Sequence, residues 1–263
     1  KELAVATYTS TGTIIRLAKK LGYHGYEDFK ADFLKEVYYL DTHFKNIDPN
    51  FPFVKTDNIQ KIASKVTLLA QETLSDTLAL LEHDNLQKAL RIMQKANQIH
   101  LAAISYSLLL GQIFKLDMLR IGKNVNICNT NGEELFLHAV IKNNDCIIII
   151  SYSGEIHNLC SLARTLKGRS VPIIAITSLG DNELKKYADV VLHISTREKL
   201  YSKIAGYSNE NSIKLILDIL YSCYFNLMYD DNLARRIAIS KQAEVGREST
   251  LEIMKEDNTQ SGT

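Results

Sequence analysis

Between residues 99 and 194 the chain changes its hydrophobic period again and again. IHLAAI (99–104), NVNIC (124–128), CIIII (146–150), PIIAIT (172–177) and VVLHI (190–194) are short, largely β-branched apolar runs. Helical patterns separate them, at 108–122, 132–142, 155–168 and 182–188. Strand-length runs alternating with amphipathic segments are satisfied by a parallel sheet covered with helices on both faces. The expected fold class is therefore α/β, a five-stranded, parallel, doubly wound domain. In such a sheet ligands bind outside the carboxyl ends of the strands, where the strand order reverses. For the common flavodoxin-like order 2-1-3-4-5, that point lies between the first and third strands.

Punctuation outside this region divides the chain. Only three prolines occur, and Pro49 and Pro52 both fall in NIDPNFPFVKTDN between helical patterns. Residues 1–46 read as a small all-helical unit, 47–56 as a linker, 57–230 as the α/β domain with flanking helices, and 231–263 as a charged tail. The chain opens on KELAVAT, inside a helical pattern, so the helical unit is expected to be truncated at its N-terminus. In that unit Ser10 is placed to cap a helix over GTIIRLAKKLG and Gly22 to end it. Ile14, Ile15, Leu17, Ala18 and Leu21 supply its expected buried side. After the linker, Ile59, Ile62, Ala63, Val66, Leu69, Ala70, Leu74, Leu78 and Leu81 hold one helical face. That long helix and NENSIKLILDILYSCYFNLMY (209–229) are the expected surface for a second copy.

Composition bounds the class without choosing the function. Hydrophobic residues make up 46% and charged residues 23%. No run approaches the roughly 18 apolar residues of a membrane helix, so no membrane association is expected. With 31 basic and 30 acidic residues the net charge is +1, so any affinity for nucleic acid must come from a local surface. Cys128, Cys146, Cys160 and Cys223 form no CxxC pair and sit mostly in apolar patterns, which fits core packing in a reducing cytoplasm. No cofactor or metal motif is found.

Two serine-bearing turns are expected to meet at the strand-order reversal. IHLAAI runs into Ser105-Tyr106-Ser107, and CIIII into Ser151-Tyr152-Ser153-Gly154-Glu155. Each leads into a helix, whose N-terminal N–H groups attract anions, and serine hydroxyls add donors suited to phosphate oxygens. Serine and glycine are also ordinary strand-to-helix turn residues, so either turn alone carries little information.

Residues 85–220 resemble the SIS, or sugar-isomerase, domain, most closely in DCIIIISYSGE, VPIIAIT and LKKYADVVLHIS. That resemblance implies phosphosugar binding with contacts at Ser107, Ser151, Ser153 and Thr177; Ser105, Gly154 and Glu155 complete the candidate set. Ala103 and Ser105 stand where the family usually has glycines, and Ile156 where it often has threonine.

YTSTGTIIRLAKKLGYHGYEDFK (8–30) puts Ser10, Thr11, Thr13, Arg16, Lys19 and Lys20 at the start and outer face of a helix. These hydroxyl and basic side chains suit base edges and phosphates in a major groove, although Glu27, Asp28, Asp32 and Glu36 nearly cancel the local charge. From Ser10 to Lys30 the stretch resembles the helix-turn-helix of the RpiR family, which joins such a unit to an SIS domain. The turn position usually held by glycine is Tyr8 here.

The resemblance implies a regulator of carbohydrate metabolism, a homodimer or higher homo-oligomer, that binds a two-fold operator and a sugar phosphate, and that is not an enzyme. Two alternatives stand beside it: a phosphosugar isomerase with an accessory helical domain, and a dimer scaffold with a degenerate pocket. For isomerisation, which needs a general base, the candidates are Glu155, His157, Glu198 and Glu210.

Overall fold

A computed structural model describes residues 2–43, 47–128, 139–246 and 249–255. Five strands form one parallel sheet in the order β2-β1-β3-β4-β5: β1 Ile99–Ala102, β2 Val125–Cys128, β3 Cys146–Ser151, β4 Ile173–Thr177 and β5 Val190–His193. This is the expected topology, with β1 and β3 adjacent. Every residue of β3 is buried, as its isoleucines require of a central strand covered on both faces. Alternation sends Ile148 and Ile150 into a cluster with Phe114, Met118, Ile213 and Leu217. Ile147 and Ile149 enter the opposite cluster with Leu159, Leu162 and Leu166.

The crossover helices lie where the period predicted them, α6 at Ser105–Arg120 and α7 at His157–Gly168. Most of the helical pattern at 132–142 lies outside the described residues. The pattern at 182–188 shrinks to a 3-10 turn, Leu184–Lys186, begun by a bond from the Lys185 amide to Asn182 Oδ1 (3.2 Å). Cys128, Cys146 and Cys160 are buried and Cys223 half-buried, none in a disulfide. Among the described residues no helix is long and apolar enough to cross a membrane.

The flanking helices differ from expectation. Helix α4 (Ile59–Leu80), followed by α5 (His83–Lys95), buries Leu69, Thr73, Asp76 and Thr77, while Ile59, Leu74 and Leu78 of the expected apolar face are exposed. Its docking face is polar because it meets α8 (Tyr207–Asn226) through hydroxyls: Thr73 with Ser208 (2.9 Å) and Thr77 with Ser212 (2.8 Å). Asp76 adds a bond from the Ser195 hydroxyl (2.5 Å). The two long helices assigned to a second copy thus pack on each other within one chain. Within the expected charged tail, Tyr229–Ala243 form another helix, α9, held to α8 by Asn232 Nδ2 donating to the Phe225 carbonyl (2.9 Å).

The helical unit comprises α1 (Glu2–Ala6), α2 (Thr11–Lys20) and α3 (Tyr26–His43). Ser10 caps α2 by accepting from the Thr13 amide (3.1 Å). Leu21 closes the helix, and Gly22 follows at φ +96°, its amide bonded to the Lys19 carbonyl (3.1 Å). Tyr8, in the turn between α1 and α2, takes φ +53° with its side chain fully in water. Of the expected buried side of α2, Ala18 alone is fully buried; Ile15, Leu17 and Leu21 are exposed. An apolar groove lined by Leu3, Ile14, Ile15 and Tyr26 lies open beside them.

Candidate functional site

The register brings the two serine turns to one edge of the sheet. Ala102, the last residue of β1, pairs with Ile149, two residues before the end of β3, and Ser151 pairs with Thr177 at the end of β4. Both following helices begin without a side-chain cap: their N-cap residues are Ile104 and Ile156. Uncapped N-terminal N–H groups are the donors an anion uses. Ser105 opens α6 at φ +52°, a left-handed conformation that costs a non-glycine residue about 1 kcal/mol or more. It stands where the resembling family has glycine, which has no Cβ to clash there. Ser105 is exposed and Ser107 half-buried.

The second turn is internally braced. Ser151, buried, accepts from the Gly154 amide (3.1 Å), and Ser153 accepts from the Glu155 amide (3.2 Å). Each hydroxyl keeps its own O–H to donate. Gly154 sits at φ +68° directly beneath the Asn182 amide, so a Cβ there would overlap that side chain. Asn182 is fixed from below by donating to Thr177 Oγ1 (3.2 Å). Thr177 is therefore fully buried, and it supports the turn from inside.

The candidate acids and bases are engaged elsewhere or apart. Glu155 Oε1 accepts from the Glu183 amide (2.9 Å), tying the second turn to the loop after β4. Glu198 caps α8, accepting from the Ser208 and Asn209 amides, and its other oxygen pairs with Lys203 Nζ (2.8 Å). Burial first, then the Glu198 charge, raises the Glu210 carboxyl above its usual range. His157 is exposed at the start of α7. At the end of β5, burial and Lys185 lower His193 to about 4, so it is neutral near pH 7, with Nδ1 3.2 Å from the Ser178 carbonyl. Among the described residues no group of histidine, cysteine, aspartate and glutamate could hold a metal.

Sequence reasoning missed Tyr152, Asn182 and Lys203. Tyr152 alternates inward between two serines and bonds backbone 46 residues away; burial pushes its phenol up to about 12, so it stays protonated. Gly154 carried the one readable signal, since a glycine in a strand-to-helix turn permits a positive φ and close approach by a neighbour.

The family model described as the SIS domain matches residues 92–221. The chain carries an SIS domain. A small helical unit, residues 2–43, precedes it. Among relatives, an uncharacterised HTH-type transcriptional regulator of Clostridium perfringens is 24% identical over 226 residues, 86% of this chain and 79% of the relative. The uncharacterised HTH-type regulator YbbH of Bacillus subtilis is 24% identical over 224 residues, 84% of this chain and 76% of its own. In fold the chain is similar to the Vibrio vulnificus NanR protein complexed with ManNAc-6P: TM-score 0.64, 19% identity, 92% of this chain and 85% of that one. The sugar isomerase domain of the Sphaerobacter thermophilus RpiR transcription factor gives a TM-score of 0.62 at 16% identity, covering 69% of this chain and 99% of that one.

Within this SIS domain, Gly154→Ala meets both a positive φ and the Asn182 side chain. It is expected to destabilise the domain by about 1–3 kcal/mol, read as a lower midpoint in urea. An unchanged midpoint removes Asn182 as the clamp on this turn.

Proposed function

We propose that this chain is an RpiR-type, DNA-binding transcription regulator of carbohydrate metabolism whose SIS domain senses a phosphorylated sugar. The observation that carries the reading is the carboxyl edge of the sheet, where two helix N-termini without side-chain caps adjoin serine hydroxyls with donors to give. Ser105, Ser107, Ser151 and Ser153 donate to the phosphate, while Gly154 and Thr177 shape the turn that presents it. NanR, the similar structure complexed with ManNAc-6P, supports a phosphosugar as the ligand class. Glu155 ties two loops together, which speaks against its acting as the base of an isomerase. A cytoplasmic site of action accords with this role.

In the helical unit, Thr11, Thr13, Arg16, Lys19 and Lys20 are exposed along α2 and form the DNA-facing surface. Ser10 contributes by capping, with its oxygen on the Thr13 amide. A two-fold operator requires a dimer, and α6 offers the surface for it. Leu109 (59% exposed), Ile113 (41%) and Leu116 (56%) form an apolar band there, with Tyr106 and Leu119 beside them. Contiguous exposed apolar residues of this kind mark an interaction site.

Four outcomes test the reading. A panel of hexose, pentose and amino-sugar phosphates should raise the melting temperature of the chain. Ser151→Ala and Ser153→Ala should each weaken the responding ligand roughly 10-fold or more, the loss of a charge-assisted hydrogen bond of about 1.5–3 kcal/mol. No response from any phosphosugar overturns the sensor. Arg16→Ala should weaken binding to DNA selected from a random pool by about 1–3 kcal/mol; unchanged affinity in a gel shift removes α2 as the reading helix. Leu116→Glu should convert a dimer to a monomer in sedimentation, and a dimer that survives it has its interface elsewhere.

A further inference from the structure

The SYSG turn is gripped from outside by one more element. The Tyr152 phenol accepts from the Glu198 amide (3.0 Å) and donates to the Glu198 carbonyl (2.6 Å). One side chain of the ligand turn therefore holds both backbone groups of a residue in the loop between β5 and α8. Lys203, paired with the Glu198 carboxylate, lies with its ammonium 5.3 Å from the Tyr152 ring centroid.

The far side of the same loop holds a different part of the chain. Arg197, its side chain wholly out of solvent, donates to Glu72 of α4 (3.1 Å) and to the Ile47 carbonyl (3.3 Å). The Lys199 amide donates to Asn50 Oδ1 (2.7 Å), and the Ile204 amide to the Asn50 carbonyl (2.9 Å). Residues 47–50 lie in the segment that runs between the helical unit and α4. The loop is thus bonded on one side to the serine turn and on the other to the tether of the helical unit.

We propose that residues 195–206 are a relay, with Tyr152 and Arg197 as its ends, through which occupancy of the phosphosugar turn alters the tether at residues 47–50. The proposal rests on the phosphosugar reading of that turn. A phosphate bonded on both sides of Tyr152, at Ser151 and Ser153, restricts the backbone that aims the phenol. The ligand then has unequal affinity for turn conformations that hold Glu198 and those that release it, the condition for any shift of population. At the other end, parting Arg197 from Glu72 would leave a buried charge without its carboxylate, which is strongly unfavourable. The loop therefore moves as a unit with its partners, because closely packed, bonded contacts switch between discrete arrangements.

Hydrogen exchange on the whole chain, with and without a responding hexose 6-phosphate, tests the relay. In the wild type the ligand should slow exchange in 151–156, in 196–206 and in 47–53. Tyr152→Phe, which keeps the ring and removes the hydroxyl, should retain the response in 151–156 and lose it in 47–53. Arg197→Lys, too short to reach both partners, should retain the response as far as 196–206 and diminish it in 47–53, where only the two bonds to Asn50 remain. If 47–53 responds undiminished in both variants, or never responds in a wild type whose 151–156 does, the relay is overturned. If no sugar phosphate affects 151–156 in the wild type, the phosphosugar reading falls, and the ligand-free comparison decides the relay separately. Tyr152→Phe should then speed exchange in 196–206 and 47–53 together, and loosening confined to 196–206 overturns it.

Discussion

The structure depends on the burial of β3 from both sides. A strand of consecutive isoleucines cannot face water on either surface, so helices must cover the sheet above and below. A parallel arrangement with crossovers is what supplies them. That arrangement sends every strand's carboxyl end to one edge, and the turns into α6 and α7 must emerge there. The candidate site is thus a by-product of core burial: two helix starts delivered side by side because their strands are neighbours.

What distinguishes this edge from an ordinary pair of turns is how its polar groups are allotted. Serine oxygens of the second turn accept backbone amides, which leaves their hydrogens for a guest. Carboxylates nearby are directed to backbone amides of other elements: Glu155 to the loop after β4, Glu198 to the start of α8. Negative charge is drawn off into structural bonds while donors stay at the strand edge. Such a distribution favours holding an anion over moving a proton.

Strand number and approximate position were legible because they follow from local period and apolar content, which a single stretch of chain carries; the order came from the commonest arrangement of such a sheet and matches the one found. The same holds for Ser10 as a cap, set by residues within one turn, whereas the unusual place of Tyr8 was legible only through the family resemblance. The buried face of α4 was not legible. Its apolar stripe points largely to water, while two threonines face serines of α8 135 positions away and Asp76 meets Ser195 in the loop before that helix. Nor were the roles of Glu155 and Glu198, whose partners lie 28 and 10 residues distant and meet them only through the fold. Serine-rich turns showed where a ligand would sit; the bracing by Asn182 and Tyr152 arose from side chains whose direction no local pattern specifies.

The hydroxyl seam between α4 and α8 has a geometric consequence of its own. Thr73 meets Ser208 and Thr77 meets Ser212, so both partners advance by four residues and the helices run in the same direction. Greasy surfaces slide past each other at small cost, whereas directional bonds do not. A shift of even one residue, about 1.5 Å along the axis, would strand both pairs at once. The seam therefore works as a vernier: it contributes modest cohesion, and it sets the axial position of the helix that carries the helical unit's tether.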